Sequence, residues 1–367
     1  MEKKKVVLIG NHHVVIYNFR REFVQRLIKE GHEVIVFLPV TEEAEKIREL
    51  GCELVDIPVD RRGINPVKDG RLLLQYRKKL KQIRPDMVFT YTIKPNIYAG
   101  YACRLLKIPY VCTITGLGKG IENGGIIRSV IMKMYKAGLK KVKRVFFQNE
   151  DNKKLFAERN IGGGCYGMVK GSGVNLDAFE PKAFPAETEP VRFAFVARIA
   201  KIKGIETFLP MVEHIKQKYP SVEFHMLGFW EEDYKEIITR FVERGLIYYH
   251  GMQADVVPYL EKCQCLVHPS QSEGMSNACL EMAATGRAII ASDIPGCREC
   301  VEEGITGYLH EMDNTQDLIE KIEKFILLPY NERKRMGEQG RKKMEQEFSR
   351  EMVVDAYMKE LYETVSN

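Results

Sequence analysis

Several features that would assign a chain to a particular class are missing from this sequence. Its 367 residues contain no apolar run of about eighteen, so no helix that spans a membrane is expected. The apolar stretch after the lysine-rich start is too short for a signal peptide and leads into a sequence typical of a strand. Neither zinc-finger spacing nor a basic helix with interleaved aromatic residues occurs, so nucleic acid is not an expected partner.

Cysteine is sparse and irregularly spaced. The nine cysteines are an odd number without dense spacing, which predicts a reduced protein without a disulfide framework. Cys297 and Cys300 form a Cys-x-x-Cys pair, and Cys263 lies close to Cys265. A zinc or redox site stays open as an alternative, although cysteine is an ordinary buried residue and no bound metal is expected.

The glycine pattern of a nicotinamide-binding enzyme is also missing, because no G-x-G-x-x-G follows the first predicted strand. Gly116, Gly118 and Gly120 have a related spacing, but they follow an internal strand. What the sequence does contain, 45% hydrophobic and 29% charged residues, is typical of a globular protein, and its length suffices for two domains.

Charge is distributed unevenly along the chain. Residues 1–180 contain 33 Lys and Arg against 19 Asp and Glu, a net charge of +14, whereas residues 181–367 contain 23 against 31, a net charge of −8. A basic half favours an anionic partner, such as an anionic membrane surface. Apolar and basic side chains alternate over 126–144, which predicts either an amphipathic helix on such a membrane or a domain helix with a solvated basic face.

Strand and helix patterns alternate through both halves, which predicts an α/β protein with doubly wound parallel sheets. Ligands bind such sheets beyond the carboxyl ends of the strands. The polar or glycine residues that follow predicted strands in the first half are Asn11, His12, His13, Lys94, Asn96, Thr115 and Gly116. Structural roles are the alternatives; Asn96, for example, would then cap a helix that begins near Ile97.

Two glutamates eight positions apart mark the second half. The apolar run before Pro269 predicts a buried strand and residues 278–285 predict a helix, so Glu273 lies in the turn and Glu281 about two turns into the helix. Backbone N–H groups at such a helix start, together with the helix dipole, favour anionic or hydroxyl-rich ligands. The alternative is a pair of solvated glutamates without a common ligand.

An earlier strand–turn–helix unit contains cations in its turn. The apolar run 191–197 ends at Arg198, and Lys203 and Gly204 precede residues with helical periodicity. Arg198 and Lys203 are suited to hold a diphosphate, Arg198 through its planar fork and Lys203 as a point charge. Solvated loop cations are the alternative.

In order and spacing, these motifs resemble the donor-binding half of the family-four retaining glycosyltransferases. The segments that carry the resemblance, within residues 190–310, are 195–198, 203–204, 251, 268–270, 273–274, 281 and 296–307. The resemblance implies the GT-B fold: α/β, with two Rossmann-like doubly wound parallel-sheet domains and a cleft between them. It also implies a UDP-sugar as donor substrate, without a cofactor or a bound metal.

Carried over by position, the resemblance assigns donor binding to the second half. Arg198 and Lys203 would hold the diphosphate, and Glu273 would hold the donor sugar; these three are the expected catalytic residues. Glu281 would accept hydrogen bonds from the ribose hydroxyls. The other expected donor-binding residues are Gly251, Gly274, Met275, Ser276 and Asn277.

The first half resembles one branch of this family, which builds bacterial capsule, O-antigen or N-glycans on an undecaprenyl-diphosphate lipid. The segments that carry the likeness are 18–20, 92–96 and 113–118. The branch implies acceptor binding at Asn18 and at the strand ends named above, with Lys94 at the lipid diphosphate. Many family members have His at the position of Thr115, so this departure leaves open which residue contacts the sugar.

The expected domains are residues 1–175, which would bind the acceptor, and residues 185–349, which would bind the donor. A glycine- and proline-rich stretch separates them. By the resemblance, a C-terminal helix over 350–367 would cross back onto the first domain. Closure of the cleft on donor binding would exclude water.

The sequence therefore predicts a retaining, metal-independent glycosyltransferase that is cytoplasmic and peripheral at the inner face of the cell membrane. It would move an N-acetylhexosamine or a hexose from a UDP-sugar to a polyprenyl-diphosphate-linked saccharide. One alternative is a UDP-sugar 2-epimerase of the same fold, which needs no acceptor. Another is a non-catalytic sugar-nucleotide-binding partner, against which the intact Arg198, Lys203, Glu273 and Glu281 argue.

Overall fold

The computed structural model describes residues 2–60, 65–117 and 124–363, and these form two compact units. The first unit contains the chain up to Ser172 together with the chain from Arg350, and the second runs from Gly173 to Ser349. Gly118 and Gly120, which the sequence singled out, lie outside the described residues, as does the end of the predicted C-terminal helix beyond residue 363.

The first unit contains a parallel sheet with the order β3-β2-β1-β4-β5-β6-β7 among its described strands. These strands are Lys5–Ile9 (β1), Glu33–Leu38 (β2), Glu53–Asp56 (β3), Met87–Tyr91 (β4), Tyr110–Ile114 (β5), Arg144–Phe147 (β6) and Tyr166–Met168 (β7). Its helices are His13–Tyr17 (α1), Arg21–Lys29 (α2), Glu45–Arg48 (α3), Pro66–Ile83 (α4), Gly100–Leu106 (α5), Gly125–Gly138 (α6) and Glu150–Glu158 (α7), with a π-helical turn at Pro95–Ala99.

The second unit repeats this plan with the strand order β10-β9-β8-β11-β12-β13. Its strands are Arg192–Val196 (β8), Glu223–Leu227 (β9), Tyr248–Tyr249 (β10), Cys265–His268 (β11), Ala288–Ser292 (β12) and Gly307–His310 (β13). Its helices are Ile205–Lys218 (α8), Lys235–Glu243 (α9), Val257–Leu260 (α10), Asn277–Ala284 (α11), Thr315–Leu327 (α12) and Tyr330–Glu347 (α13). Helix α14, Arg350–Glu363, belongs to the first unit.

Each sheet is covered on both faces, because successive side chains of a strand point to opposite sides. In β1, Val7 and Ile9 pack into one apolar cluster, whereas Val6 and Leu8 pack into another. The inner strands, such as β4, β5, β11 and β12, consist of buried residues, as expected for parallel strands that are covered on both faces, whereas β3, β7 and β10 contain none. The predicted α/β, doubly wound fold of both halves is confirmed.

Helix α14 is attached to the first unit by charge and by aromatic packing. The buried Glu360 carboxylate accepts hydrogen bonds from Lys143 at 2.6 Å and from Arg144 at 2.8 Å. The Tyr357 ring lies 5.2 Å from the ring of Phe23 and 5.8 Å from that of Phe89, measured between centroids. These contacts explain why the last helix folds with the first 172 residues.

One predicted helix of the first unit is interrupted. The apolar periodicity of Phe19, Phe23, Leu27 and Ile28, with Gly31 after them, predicts a single helix from residue 17 to residue 31, but α1 and α2 are separate. Between them Arg20 leaves the helical conformation, with φ −138° and ψ 8°, and its guanidinium is buried 4.7 Å from the centroid of the Tyr91 ring. Burying that cation against an aromatic ring is incompatible with a continuous surface helix at this position.

Helix α6 differs from the helix predicted over 126–144, because it ends at Gly138. Ile131 and Leu139 are buried in the core of the first unit, which fits the alternative of a domain helix with one face in the core. The exposed side of the helix carries instead Ile126, Ile127 and Val130, with 84%, 54% and 42% of their surface exposed. No helix among the described residues is both long enough and apolar enough to cross a membrane.

Candidate active site

A tight turn after β8 positions Lys203. The chain forms a 3-10 turn over Lys201–Lys203 and then passes through Gly204, with φ +74°, into α8. A Cβ atom at Gly204 would lie 1.8 Å from the carbonyl oxygen of Pro269. Glycine is therefore required here both for the left-handed backbone and for the close approach of the turn to the loop after β11.

Hydrogen bonds join this turn to the loop after β11. The backbone N–H of Gln271 donates to the carbonyl of Ile202 at 2.9 Å, and the Ser270 hydroxyl donates to the same carbonyl at 3.3 Å. Because β8 and β11 are neighbours in the sheet, the segments that follow them lie at the same edge. The two donor motifs of the sequence therefore meet in one place.

The centre of the site is a contact between Lys203, Glu273 and His268. Oxygen Oε1 of Glu273 accepts from Nζ of Lys203 at 2.6 Å and from Nε2 of His268 at 2.9 Å. The side chains of Lys203 and Glu273 are each 13% exposed, and that of His268 is 3% exposed. A carboxylate thus lies between a cation and an imidazole with little access to water, where charge interactions are strong.

The ionisation of these groups follows from their contacts. Burial alone would raise the pKa of Glu273, but Lys203 and His268 outweigh that effect and hold this pKa well below its usual range. Burial would lower the pKa of His268, whereas Cys279 and Glu273 beside it raise that pKa above its usual value. A carboxylate ionised so firmly is a weak base, so Glu273 is suited to accept hydrogen bonds rather than to remove a proton.

Ser276 and Gly296 fix the start of α11. The Ser276 hydroxyl accepts from the backbone N–H of Cys279 at 3.3 Å, which caps the helix, and lies 3.0 Å from Nε2 of His268. The Ser276 N–H donates to the carbonyl of Gly296 at 2.8 Å, so this predicted donor-binding group already has a partner. A Cβ at Gly296 would lie 2.8 Å from the carbonyl oxygen of Gly274, so a third loop packs tightly against the Glu273 turn.

The other predicted donor residues have contacts of their own in the second unit. Arg198 forms an ion pair with Glu231, and no contact with Lys203 or Glu273 is found for it within the described residues. Glu281 lies on α11 and is partly exposed. The carbonyl of Gly251, which follows β10, accepts from the N–H of Gly228 at 2.9 Å. Met275 is buried, whereas Asn277, the first residue of α11, is partly exposed.

In the first unit, the predicted acceptor residues follow neighbouring strands. Strands β1, β4 and β5 are adjacent in the sheet, so the segments 11–13, 92–94 and 115–116 lie at one edge. His12 caps α1, since its Nδ1 accepts from the N–H of Val14 at 3.3 Å. The rings of His12 and His13 lie 4.2 Å apart. The backbone carbonyl of Asn18 accepts a hydrogen bond from the Arg350 guanidinium at 3.0 Å. The Asn18 side chain takes no part in this hydrogen bond.

Lys94 and Asn96 are placed differently from each other. Nζ of Lys94 lies 2.8 Å from the Asp69 carboxylate, and both side chains are largely buried. Asn96 is completely buried, and its Nδ2 donates to the carbonyl of Thr113 at 2.9 Å. The interpretation of Asn96 as an acceptor contact therefore does not fit, because a residue without exposed surface cannot reach a ligand. Its alternative as a helix cap does not fit either, since the π-helical turn already begins at Pro95.

Thr92 was missed as a candidate. It follows β4 directly, has φ +69°, and its hydroxyl is buried without a hydrogen-bond partner among the described residues. A positive φ is costly for a β-branched residue, and such strain clusters at binding and catalytic sites. The only signal in the sequence was its position at a strand end, because a threonine in the sequence does not indicate a left-handed backbone.

Metal-ligating side chains are grouped at one place in the described part of the chain. His268, Cys279 and Cys297 are buried, and one ligand atom from each lies within 4.8 Å of the others. His268 contacts Glu273 at 2.9 Å, so this group adjoins the centre of the site. The sequence identifies Cys297 and Cys300 as a Cys-x-x-Cys motif, but it does not associate either cysteine with His268.

Two family models match the chain. The model described as "Glycosyl transferases group 1" matches residues 177–343, which include Arg198, Lys203, Glu273 and Glu281. The model described as "Glycosyl transferase 4-like" matches residues 5–149. Each half of the chain is therefore similar to a glycosyltransferase model, and both of the groups of candidate residues lie within the matched ranges.

Relatives extend this likeness to whole chains. The chain is 28% identical over 324 residues to the N,N'-diacetylbacillosaminyl-diphospho-undecaprenol alpha-1,3-N-acetylgalactosaminyltransferase of Campylobacter jejuni, covering 84% of this chain and 85% of the relative. It is 22% identical over 330 residues to the capsular polysaccharide biosynthesis glycosyltransferase CapM of Staphylococcus aureus, covering 86% of each. The structure of Anabaena HepE with UDP and glucose superposes with a TM-score of 0.79 at 14% identity, over 98% of this chain and all of the other, which shows the shared fold.

A double-mutant cycle tests the central contact. Lys203→Met should lower the free energy of unfolding by about 3 kcal/mol, because it leaves the buried Glu273 charge without its lysine. Adding Glu273→Leu should recover most of that loss, since no unpaired charge then remains. Urea unfolding followed by circular dichroism measures both values.

Lys334→Met is the matched control, because the Lys334 side chain is 49% exposed and its ion pair with Glu338 is at the 4.0 Å limit. Its effect should be within about 0.5 kcal/mol of zero. If Lys203→Met and this control destabilise the protein equally, the contact between Lys203 and Glu273 contributes little to stability. If the effects of Lys203→Met and Glu273→Leu are strictly additive, the two residues are not coupled.

Proposed function

We propose, on the premise that the chain belongs to the group 1 glycosyltransferases, that it transfers a hexose or an N-acetylhexosamine from a UDP-sugar to a polyprenyl-diphosphate-linked saccharide. The Campylobacter relative, named for such a lipid-linked acceptor, supports the acceptor class. The capsular relative supports a role in surface-glycan assembly. HepE, solved with UDP and glucose, supports a uridine nucleotide as the donor's carrier.

The observation that carries the proposal is the 2.6 Å contact between Lys203 and Glu273. It brings together a cation suited to the donor diphosphate and a carboxylate suited to the hydroxyls of the donor sugar. A diphosphate would compete with Glu273 for the Lys203 ammonium, because phosphate oxygens are strong, charged acceptors. His268 would keep Glu273 oriented while the carboxylate turns from the lysine to the sugar.

In the proposed reaction, the bond between C1 of the sugar and the diphosphate oxygen breaks while the acceptor hydroxyl oxygen bonds to C1 on the same face. The electron pair of the breaking bond remains on UDP, and the hydroxyl proton passes to the departing diphosphate oxygen. Lys203 and Arg198 would stabilise the charge that develops there, and Glu281 would hold the ribose. Positioning of the two substrates supplies the remaining acceleration.

The acceptor would bind at the carboxyl edge of the sheet in the first unit. Lys94 would exchange part of its contact with Asp69 for oxygens of the lipid diphosphate, and Thr115 would lie near the saccharide. The other residues assigned to the acceptor are Asn11, His12, His13, Asn18, Gly116 and, from its strained backbone, Thr92. This assignment rests on their shared place after β1, β4 and β5.

A lipid-linked acceptor requires access to a membrane, and α6 offers a surface for it. Ile126, Ile127 and Val130 are exposed near the start of the helix. Lys133 and Lys136 are exposed further along it, so apolar and basic side chains share the outer side. Such a surface would insert its apolar side chains among the acyl chains and attract anionic headgroups. We therefore propose peripheral attachment to the cytoplasmic face of the membrane.

A transfer assay tests the proposed reaction. UDP-sugars are incubated with the protein, with and without an undecaprenyl-diphosphate-linked saccharide, in the absence of added metal, and the products are identified by mass spectrometry. One UDP-sugar should lose its sugar to the lipid only when the acceptor is present, and Lys203→Met should slow that transfer at least about tenfold. Conversion of the donor alone would indicate an epimerase and contradict the proposal.

The ribose assignment has its own test by calorimetry. Glu281→Ala should weaken UDP binding roughly tenfold, because the ribose hydroxyls lose a charged acceptor worth about 1.5 kcal/mol. Glu320→Ala, on the exposed side of α12, is the control and should leave the UDP affinity unchanged. Unaltered affinity in the Glu281 variant would remove this residue from the ribose site.

Membrane attachment is tested by vesicle flotation. Replacing Ile126, Ile127 and Val130 together by serine should reduce binding to vesicles that contain anionic lipid, since the apolar side chains no longer insert. Leu327→Ser, at a residue in the second unit that is 70% exposed, controls for the general loss of exposed apolar surface. The triple variant should retain its UDP affinity, and unchanged flotation would contradict a membrane role for α6.

A further inference from the structure

A buried group of thiols adjoins the Lys203–Glu273–His268 contact. Cys279 lies in the first turn of α11, and Cys297 and Cys300 lie at the 3-10 turn Arg298–Cys300. All three cysteines are completely buried. His268, at the end of β11, completes the group, so its members come from three separate segments of the second unit.

The geometry of this group is close to that of a tetrahedral metal site. A ligand atom each from His268, Cys279 and Cys297 lies within 4.8 Å of the others. Around a zinc ion, with Zn–S near 2.3 Å and Zn–N near 2.0 Å, such atoms would lie roughly 3.5–3.8 Å apart. Shifts of about 1 Å or less would therefore close the site. Cys300 lies at the same 3-10 turn as Cys297 and forms a hydrogen bond with the Cys279 thiol, but it is outside the group of three, so it would have to move further to serve as a fourth ligand.

The hydrogen bonds of His268 favour a metal at its other nitrogen. The ionised Glu273 carboxylate can only accept, so Nε2 of His268, 2.9 Å away, carries a proton. Nδ1 is buried and has no hydrogen-bond partner among the described residues. A carboxylate on one nitrogen, with the second nitrogen unpartnered and able to give up any proton to bind a metal, is the arrangement that orients metal-ligating histidines in proteins.

We propose that His268, Cys279, Cys297 and Cys300 bind one zinc ion in a closed structural site. On binding, the thiols release their protons to solvent and the thiolates and Nδ1 donate electron pairs to the ion, so no oxidant or reductant is needed. Thiolate and imidazole ligands in a tetrahedral arrangement are what zinc prefers. The ion would enter as the second unit folds, because the ligands are buried in the folded chain.

The site would stabilise the donor loop without taking part in transfer. A zinc ion on Nδ1 would fix the ring and tautomer of His268, and Nε2–H would then hold Glu273 in one orientation. The ion would also tie the start of α11 to the loop at Gly296, which packs against Glu273 and Gly274. This inference does not depend on which sugar or acceptor the protein uses, and it assigns no metal to the donor diphosphate.

The test is a metal analysis of the full chain purified with a reductant and without a chelator. Inductively coupled plasma mass spectrometry should find about one zinc per chain. Replacement of the zinc by cobalt(II) should give thiolate-to-cobalt charge-transfer bands and the intense visible bands of a tetrahedral ion. Cys279→Ser should reduce the zinc content at least about fivefold, whereas Cys263→Ser, at a buried cysteine of the same unit that lies outside the group, should leave it unchanged.

A second measurement keeps the proposal testable if the Cys279 variant does not fold. Removing the metal from the unmodified protein with a strong chelator should lower its Tm, and zinc should restore it. A zinc content below about one tenth of an ion per chain, together with nine reactive thiols in the denatured protein, would overturn the proposal. The cysteines would then be ordinary buried residues. A disulfide between two of these cysteines in peptide mapping would overturn it as well, by identifying a redox pair.

Discussion

The second unit depends on one buried contact, in which the Glu273 carboxylate lies between Lys203 and His268. Lys203 and Glu273 are 70 residues apart in sequence and follow different strands, and their 2.6 Å contact is held by the backbone bonds of Gln271 and by the close approach at Gly204. A buried carboxylate without partners would be costly, so each neighbour constrains the others. In the proposed function, a diphosphate and a sugar would replace parts of this existing contact.

The chemistry that this arrangement supports is positioning and charge stabilisation. Glu273 is ionised too firmly to act as a base, and Lys203 is a cation at a helix start. A reaction whose proton can leave on the departing diphosphate needs no stronger base. The matches to two glycosyltransferase models and this geometry therefore agree on transfer from an activated sugar, in which we propose that Lys203 contacts the diphosphate.

The sequence predicted the class of fold, because strand ends and helix starts are local patterns that periodicity and glycine reveal. Its donor-site residues stay a prediction. It did not predict that Lys203 contacts Glu273 directly, since a pairing across 70 residues depends on strand order. The burial of Asn96 was missed for a related reason: it belongs to a helical turn whose inward side is decided by its neighbours. The positive φ of Thr92 and the association of His268 with Cys279 and Cys297 are also tertiary features.

The most direct measurement is a crystal structure of the protein with an intact UDP-sugar at the donor site. The account predicts that Nζ of Lys203 lies within hydrogen-bonding distance of a diphosphate oxygen, that Glu273 accepts from a sugar hydroxyl, and that His268 still donates to Glu273. A complex in which the nucleotide binds elsewhere, or in which Lys203 stays on Glu273 with the diphosphate out of reach, would contradict the account.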